Sequence, residues 1–522
     1  MNGARRQTQS EIEGSFAPSA GETPEKLATD FLERYRFLLL CGFSVFFLVG
    51  TALRARSSPF WHDELYTILL ARLDLGSMRT AIQDGVEPSP PFADILVRIV
   101  NSLWGEGNIV SRTPTIAGFW IFCLCLFTFV RRRLDISYAF AAMILPLSTG
   151  AYDYATQARC YGIILGLCGL ALVSWQTATE GRRRAWALFL LAFCLAAALY
   201  SHYYAILLVA PLAGGQLWRD WRRKKVDWPV WAALSGGEAA GLILCYPLLS
   251  GARRFVAHGW AKPTLYGLLL YYPEELQKML VVAIAFLILG AVWWLLRRKD
   301  ASWTGIRDCA VPDHEITAAG LFLLLPAAGF VIAVFVTNMF HPRYFISAIA
   351  GVVLTGVLLA AIWSRCSRPI GILLLLAATP GLSLVIHHRP VTPVIDDDPL
   401  LRGAIEQGPI IMDDGQPFLK QWYYLPASMK SRVEYVADPQ SEVRWTETDV
   451  TDLGMLSLKK WFGLPILDYE KDVATPGKIV RIYHNSSRST WLLSRLLTDG
   501  AKIEVQQTAG DRAVLMATIT AE

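Results

Sequence analysis

The sequence predicts an α-helical membrane protein of about eleven transmembrane helices with a small α/β domain at its C-terminal end. Three observations carry this. The 522 residues are 53% hydrophobic and 18% charged, whereas a soluble domain is ~45–50% apolar and ~25% charged. The apolar residues fall in blocks approaching the ~20 that a helix needs to cross a bilayer. Basic clusters recur after every second block, which is the pattern that sets orientation.

The blocks lie at 37–53, 113–130, 136–150, 160–176, 185–200, 203–218, 229–249, 279–296, 317–338, 343–363 and 370–387. The basic clusters are Arg131 to Arg133, Arg182 to Arg184, Arg222 to Lys225, Arg297 to Lys299, and Arg365 with Arg368. They place the N-terminus in the cytoplasm. Segment 54–112, the turns near 151–159, 201–203, 250–278 and 339–343, and everything after His387 then lie outside. The stretch 90–104 is too short to span and contains Asp94 and Arg98. As a span it would turn Arg131 to Arg133 outward, so it reads as an amphipathic helix on the outer interface.

Three regions follow. Residues 1–35 are a polar cytoplasmic tail without the layout of a cleavable signal peptide. Residues 36–388 are the transmembrane domain, whose external loop 54–112 is long enough to be functional. Residues 389–522 begin with a Pro and Asp linker and form the extracytoplasmic α/β domain. Strand-like runs there lie at 409–412, 432–436, 478–483, 502–505 and 513–517, with helical runs at 418–425 and 489–497. No phosphate loop, zinc spacing or Ser/His/Asp signature occurs in it, so its expected work is support or acceptor contact.

The nine cysteines include none beyond Cys366 and no CxxC pair. Neither a disulfide framework nor a metal knuckle is expected. The net charge of +5 sits in short clusters and not in a stripe, so membrane lipid is an expected partner and nucleic acid is not.

Candidate chemistry belongs on the outer face. Asp63 and Glu64, within Trp61-His62-Asp63-Glu64-Leu65-Tyr66, stand where the chain leaves the first span. Acids at that depth are costly and usually face a wet, protein-lined space. Helix neighbours point about 100° apart, so at most one faces a given cavity. That one has the chemistry of a general base. The bland reading is that both complement a helix dipole. Asp74, Asp84 and Glu87, further along the loop, read as solvated. The turn 152–161 holds Tyr154, Gln157 and Arg159. An arginine fork at the lip of a span suits a phosphate or snorkels to headgroups. Ser201-His202-Tyr203-Tyr204 and His341-Pro342-Arg343-Tyr344 each set a histidine among aromatics at a span end. Such a histidine is more often a hydrogen-bonded packing residue than a ligand. Arg253, Arg254 and Lys262 are further basic groups, for a lipid-linked phosphate or anionic headgroups.

Six pieces occur in order: "FWHDEL", "PSPPFADILVRI", "SRTPTIAG", "YDYATQARCYGIILGL", "YSHYYAILL" and "HPRYFI". Together, over about 35–365, they resemble the GT-C-fold membrane glycosyltransferases. The nearest branch is the bacterial family 39-like relatives of protein O-mannosyltransferases and aminoarabinose transferases. The resemblance implies an inverting glycosyltransferase of the plasma (inner) membrane. It would move a hexosyl or pentosyl group from a polyprenyl-phosphate donor to a hydroxyl of lipid, glycan or protein. It implies that Asp63 is the base, with Glu64 beside it in the catalytic pair. Arg159 and Arg343 would hold the donor phosphate, and His62, Tyr154, Gln157, His202, Tyr203 and His341 would line the cavity. No metal ligand is assigned. A divalent cation is compatible with the pattern but not required, because "ATQARCY" lacks the acid that many relatives carry there. The alternatives are a transporter or flippase of lipid-linked sugars, which would show internal repeats, and a scaffold for glycan assembly without catalysis.

Overall fold

A computed structural model of the chain describes residues 24–297, 311–386 and 398–520. The N-terminal part of the expected tail, Arg298 and Lys299 of one basic cluster, and the linker 389–397 lie outside the described residues.

Every expected apolar block is helical. The first is α1 (Arg36–Ser57). Among the described residues, five helices are long and apolar enough to cross a membrane, or up to seven if two bent pairs each count as one span. Ile136–Ser148, Arg184–Leu199 and Ala348–Trp363 are apolar but shorter, below the ~20 residues of a straight crossing. One bent pair differs from the sequence reading. Leu265–Glu275, expected inside an outer loop, is an apolar helix meeting Met279–Trp293 at 53°.

Loop 54–112 contains two helices that matter below, α2 (His62–Ala71) and α3 (Phe92–Trp104). In α3, Ala93, Asp94 and Val97 are buried, whereas Ile99, Leu103 and Trp104 are exposed.

Glycines set the closest helix contact of the membrane domain. Thr113–Arg131 lies against Cys160–Thr179. A Cβ on Gly118 would stand 2.4 Å from the Gly162 carbonyl, and one on Gly166 would stand 2.6 Å from the Gly118 carbonyl. Gly162 and Gly166 form a GxxxG pair, the spacing that lets helix backbones approach in lipid. The contact also brings together the two helix starts, which carry Arg112 and Arg159.

After Pro399 the chain forms one six-stranded sheet: β1 (Ile410–Met412), β2 (Val433–Ala437), β3 (Ile466–Asp468), β4 (Ile479–Asn485), β5 (Lys502–Ala509) and β6 (Arg512–Thr518). The order is β3-β2-β1-β4-β6-β5. Strands β1 to β4 are parallel and the β5–β6 hairpin is antiparallel. Sequence reading missed β3, whose three residues are too few for a pattern, and the helices Pro439–Thr446 and Val450–Phe462.

The sheet domain shares a core with loop 54–112. Phe60, Leu65, Tyr66 and Leu69 are buried in one cluster with Met412, Phe418, Leu419, Tyr435 and Met455. Polar ties frame that core. The Phe60 N–H donates to Tyr424 Oη at 2.7 Å, and Lys460 Nζ donates to Asp84 Oδ2 at 2.7 Å. His258 Nδ1 lies 2.9 Å from Asp449 Oδ2. Among the described residues seven cysteines are free, and Cys366 is disulfide-bonded, a link that sequence spacing did not signal.

The glycine contact makes a testable statement. Gly118→Val puts side-chain atoms into the Gly162 backbone, and overpacking typically costs about 1–3 kcal/mol. A lower thermal midpoint of the purified protein in detergent is expected. An unchanged midpoint would show that these helices do not touch in this way.

Candidate functional site

The site is built on the first turn of α2. The Trp61 N–H donates to Glu64 Oε2 at 3.1 Å, closing the helix start. Glu64 then points inward. Its carboxylate takes both arms of Arg112, from Nε and Nη2 at 2.7 Å each, and the Ala158 N–H at 2.6 Å. Both side chains are 1% exposed. Arg112 also donates to the carbonyls of Ala55 and Ser58 at 2.7 Å and of Pro59 at 3.1 Å. One buried pair therefore joins the end of α1, the start of α2, the helix from Thr113 and the turn before Arg159.

Asp63, one residue earlier, points elsewhere, as helix geometry requires. Its side chain keeps 20% exposure. Arg343 Nη1 donates to Oδ2 at 2.8 Å, and His62 Nδ1 lies 3.3 Å from Oδ1. Burial alone would raise the Asp63 pKa. The His62 hydrogen bond and the charges of Arg159 and Arg343 outweigh it and hold the carboxyl well below the usual carboxylate range. Asp63 is thus an anion at any physiological pH.

Arg159 is turned to structural use on one side. Its Nη1 donates to the Asp63 carbonyl at 3.0 Å, to Thr67 Oγ1 at 3.2 Å and to Glu87 Oε2 at 2.9 Å, and its Nη2 donates to Glu87 Oε1 at 3.1 Å. Glu87, expected to be solvated, is buried. The reason is tertiary: Arg159 arrives from another helix and neutralises it. Asp94 is buried nearby, and burial, then the Glu87 charge, pushes its carboxyl up to about 7. Asp84 joins Lys460 and Trp461 of the sheet domain, while Asp74 caps its own helix in the open.

Arg343 has a different setting. The rings of Trp61, Tyr161, Trp260 and Tyr344 lie 5.3–5.9 Å from its guanidinium carbon, within cation–π range. Beyond Asp63, the guanidinium also meets the Tyr344 hydroxyl, and its Nε is buried without a partner among the described residues.

His202 and His341 each cap a 3-10 turn, accepting the Tyr204 N–H at 3.3 Å and the Arg343 N–H at 3.4 Å. Burial first, then nearby arginine charge, lowers them to about 3 and about 4. Both are neutral packing groups that flank the site through ring contacts. His202 lies 4.8 Å from Tyr344, and His341 lies 5.0 Å from Trp260. Tyr154 stands edge-on to Tyr161 at 5.1 Å.

Beside Asp63, Trp61 Nε1, His62 Nε2, Arg159 Nε and Arg343 Nε are buried with no partner among the described residues; Gln157 Oε1 and Tyr203 Oη are likewise unpartnered. An unsatisfied buried polar group costs ~1–3 kcal/mol, so such a group marks a place where water or a ligand supplies the partners. Trp61, Arg159 and Arg343 offer donors, which suit oxygen-rich ligands such as phosphates and sugars. Among the described residues no three His, Cys, Asp or Glu side chains converge as a metal would require.

Sequence reasoning missed Arg112, the functional state of Glu87, and Trp260. Arg112 sits at the lip of a span as Arg159 does, so that signal was available. For Glu87 and Trp260 there was none.

The architecture defines the class: a membrane protein of the GT-C glycosyltransferase fold. Crystallised ArnT from Cupriavidus metallidurans, bound to undecaprenyl phosphate, superposes with a TM-score of 0.52 at 12% identity, over 92% of this chain and 97% of that one. The S. cerevisiae protein O-mannosyltransferase Pmt1-Pmt2 complex, bound to its sugar donor, is similar at 16% identity and a TM-score of 0.34, over 45% of this chain and 35% of that one. By sequence, residues 88–250 match the model of the dolichyl-phosphate-mannose-protein mannosyltransferase family. No curated protein matches by sequence.

The Glu64–Arg112 pair is testable by substitution. Removing one partner of a buried ion pair costs about 3–5 kcal/mol. Arg112→Ala and Glu64→Gln are expected to lower the thermal midpoint and the yield of folded protein. Wild-type stability in both would separate this pair from the folding of the loop.

Proposed function

We propose that this chain is an inverting glycosyltransferase that moves a sugar from a polyprenyl-phosphate donor to a hydroxyl acceptor. The observation that carries the reading is the set of unpartnered buried polar atoms around an ionised Asp63. Asp63 takes the acceptor proton as the acceptor oxygen attacks the anomeric carbon. The bond from that carbon to the phosphate oxygen breaks, and its electron pair leaves with the polyprenyl phosphate. Phosphate is already a good leaving group, so the two carboxylates of glycoside hydrolysis are not needed here.

The geometry divides roles that the sequence left joined. Arg343, with donors to spare, contacts the donor phosphate. Arg159, occupied by Glu87 and the Asp63 carbonyl, positions Asp63 and offers only its Nε. Glu64 is a positioning residue, since both its oxygens are taken by Arg112 and backbone N–H groups. Trp61, Tyr161, Trp260 and Tyr344 supply flat apolar faces suited to a sugar ring. The sugar is hexosyl or pentosyl, and the acceptor is lipid, glycan or protein. The site faces the outer side of the plasma membrane, with the N-terminus in the cytoplasm and the sheet domain outside.

Asp63→Asn keeps shape and removes the base. It is expected to leave folding intact and to lower transfer by about 10²–10⁴-fold, the usual contribution of a general base. Comparing glycolipids, envelope glycans and proteins from cells carrying wild-type or Asp63→Asn protein reads this and identifies the product. Equal product in both would remove Asp63 from the role. For orientation, a cysteine at the exposed Ser428 is expected to react with a membrane-impermeant thiol reagent on intact cells. Reaction only after the membrane is opened would reverse the topology.

A further inference from the structure

Arg343 touches the base through Nη1 and keeps a buried, unpartnered Nε on its other edge. Nη1 donates to Asp63 Oδ2 at 2.8 Å, while Nε is buried with no partner among the described residues. The Nε–Nη2 edge of an arginine is a rigid two-donor fork that fits a phosphate. Four aromatic rings surround the same guanidinium, which fixes its plane and excludes water. Resting on the reading above, we propose that Arg343 is a single cation shared between the base and the leaving phosphate, binding both at once on opposite edges.

The charge balance of the reaction gives this arrangement its purpose. Before transfer, Arg343 faces the Asp63 carboxylate (−1) and a phosphodiester (−1). During transfer, the acceptor proton moves to Asp63 and the electron pair of the broken carbon–oxygen bond moves to the phosphate. Afterwards Arg343 faces a neutral Asp63 and a phosphomonoester (−2). The total negative charge beside the guanidinium is the same at the start and at the end; only its location shifts from one edge to the other. A delocalised planar cation follows that shift without moving, and such preorganisation lowers the barrier. A lysine, being a point charge, cannot serve both edges. Arg159 also holds Asp63 down, but both its Nη atoms are taken by Glu87, so Arg343 is the arginine bonded to the Asp63 carboxylate itself.

The arrangement predicts that Asp63 and the released lipid compete for Arg343, which can be measured without knowing the sugar. The probe is undecaprenyl phosphate, titrated calorimetrically into purified full-length protein at about pH 8. Its second phosphate pKa is about 6, so the free lipid is a dianion there. Asp63→Asn, which removes the competing charge, is expected to bind at least about tenfold tighter than wild type, which corresponds to ~1.4 kcal/mol. Arg343→Ala and Arg343→Lys are expected to bind at least about tenfold more weakly, and thermal midpoints check that each variant is folded. If Asp63→Asn binds with wild-type affinity, the shared cation is overturned while the glycosyltransferase reading stands. The same holds if folded Arg343→Lys binds as wild type does. If wild-type protein does not bind undecaprenyl phosphate, both are overturned.

Discussion

The buried pair between Glu64 and Arg112 is the interaction on which the site depends. A pair this deep is not a cheap source of stability, because both charges lose their water. What it gives is register. Four chain segments meet at this pair: the guanidinium donates to one carboxylate and three carbonyls, and the carboxylate accepts the Ala158 N–H. The start of α2 cannot rotate without breaking several of these bonds, so Asp63 is aimed by its neighbour.

With α2 fixed, electrostatics does the rest. Asp63 stands among Arg343, Arg159 and His62, and their combined effect overcomes burial and keeps it ionised. Glu87 takes both Nη atoms of Arg159, while Nη1 of Arg343 goes to Asp63 itself.

The sheet domain belongs to the same construction. Its core is continuous with α2 through Tyr66, Leu65 and Phe60, and its polar ties reach Asp84 on one side and His258 with Lys262 on the other. The loop holding His258 also carries Trp260, one of the rings around Arg343. The domain therefore braces two of the segments that form the site, which is a physical reason for an enzyme to keep it docked.

Sequence alone determined the helical membrane class and the apolar blocks, and it marked Asp63, Glu64, Arg159 and Arg343 as candidates; the choice of Asp63 among them came from the resemblance to the GT-C family. The class and the blocks follow from local quantities: block length and charge spacing. The 100° step of a helix even foretold that Asp63 and Glu64 would face different ways. The tertiary structure alone decided which faced where. It buried Glu87, spent Arg159 on it, turned both histidines into neutral caps, and ringed Arg343 with aromatics from four segments. Partners far apart in the chain set these outcomes, as Asp63 meets Arg343 and Glu87 meets Arg159 only after the helices pack. A charge's role depends on what is beside it, and no local pattern in the sequence records that.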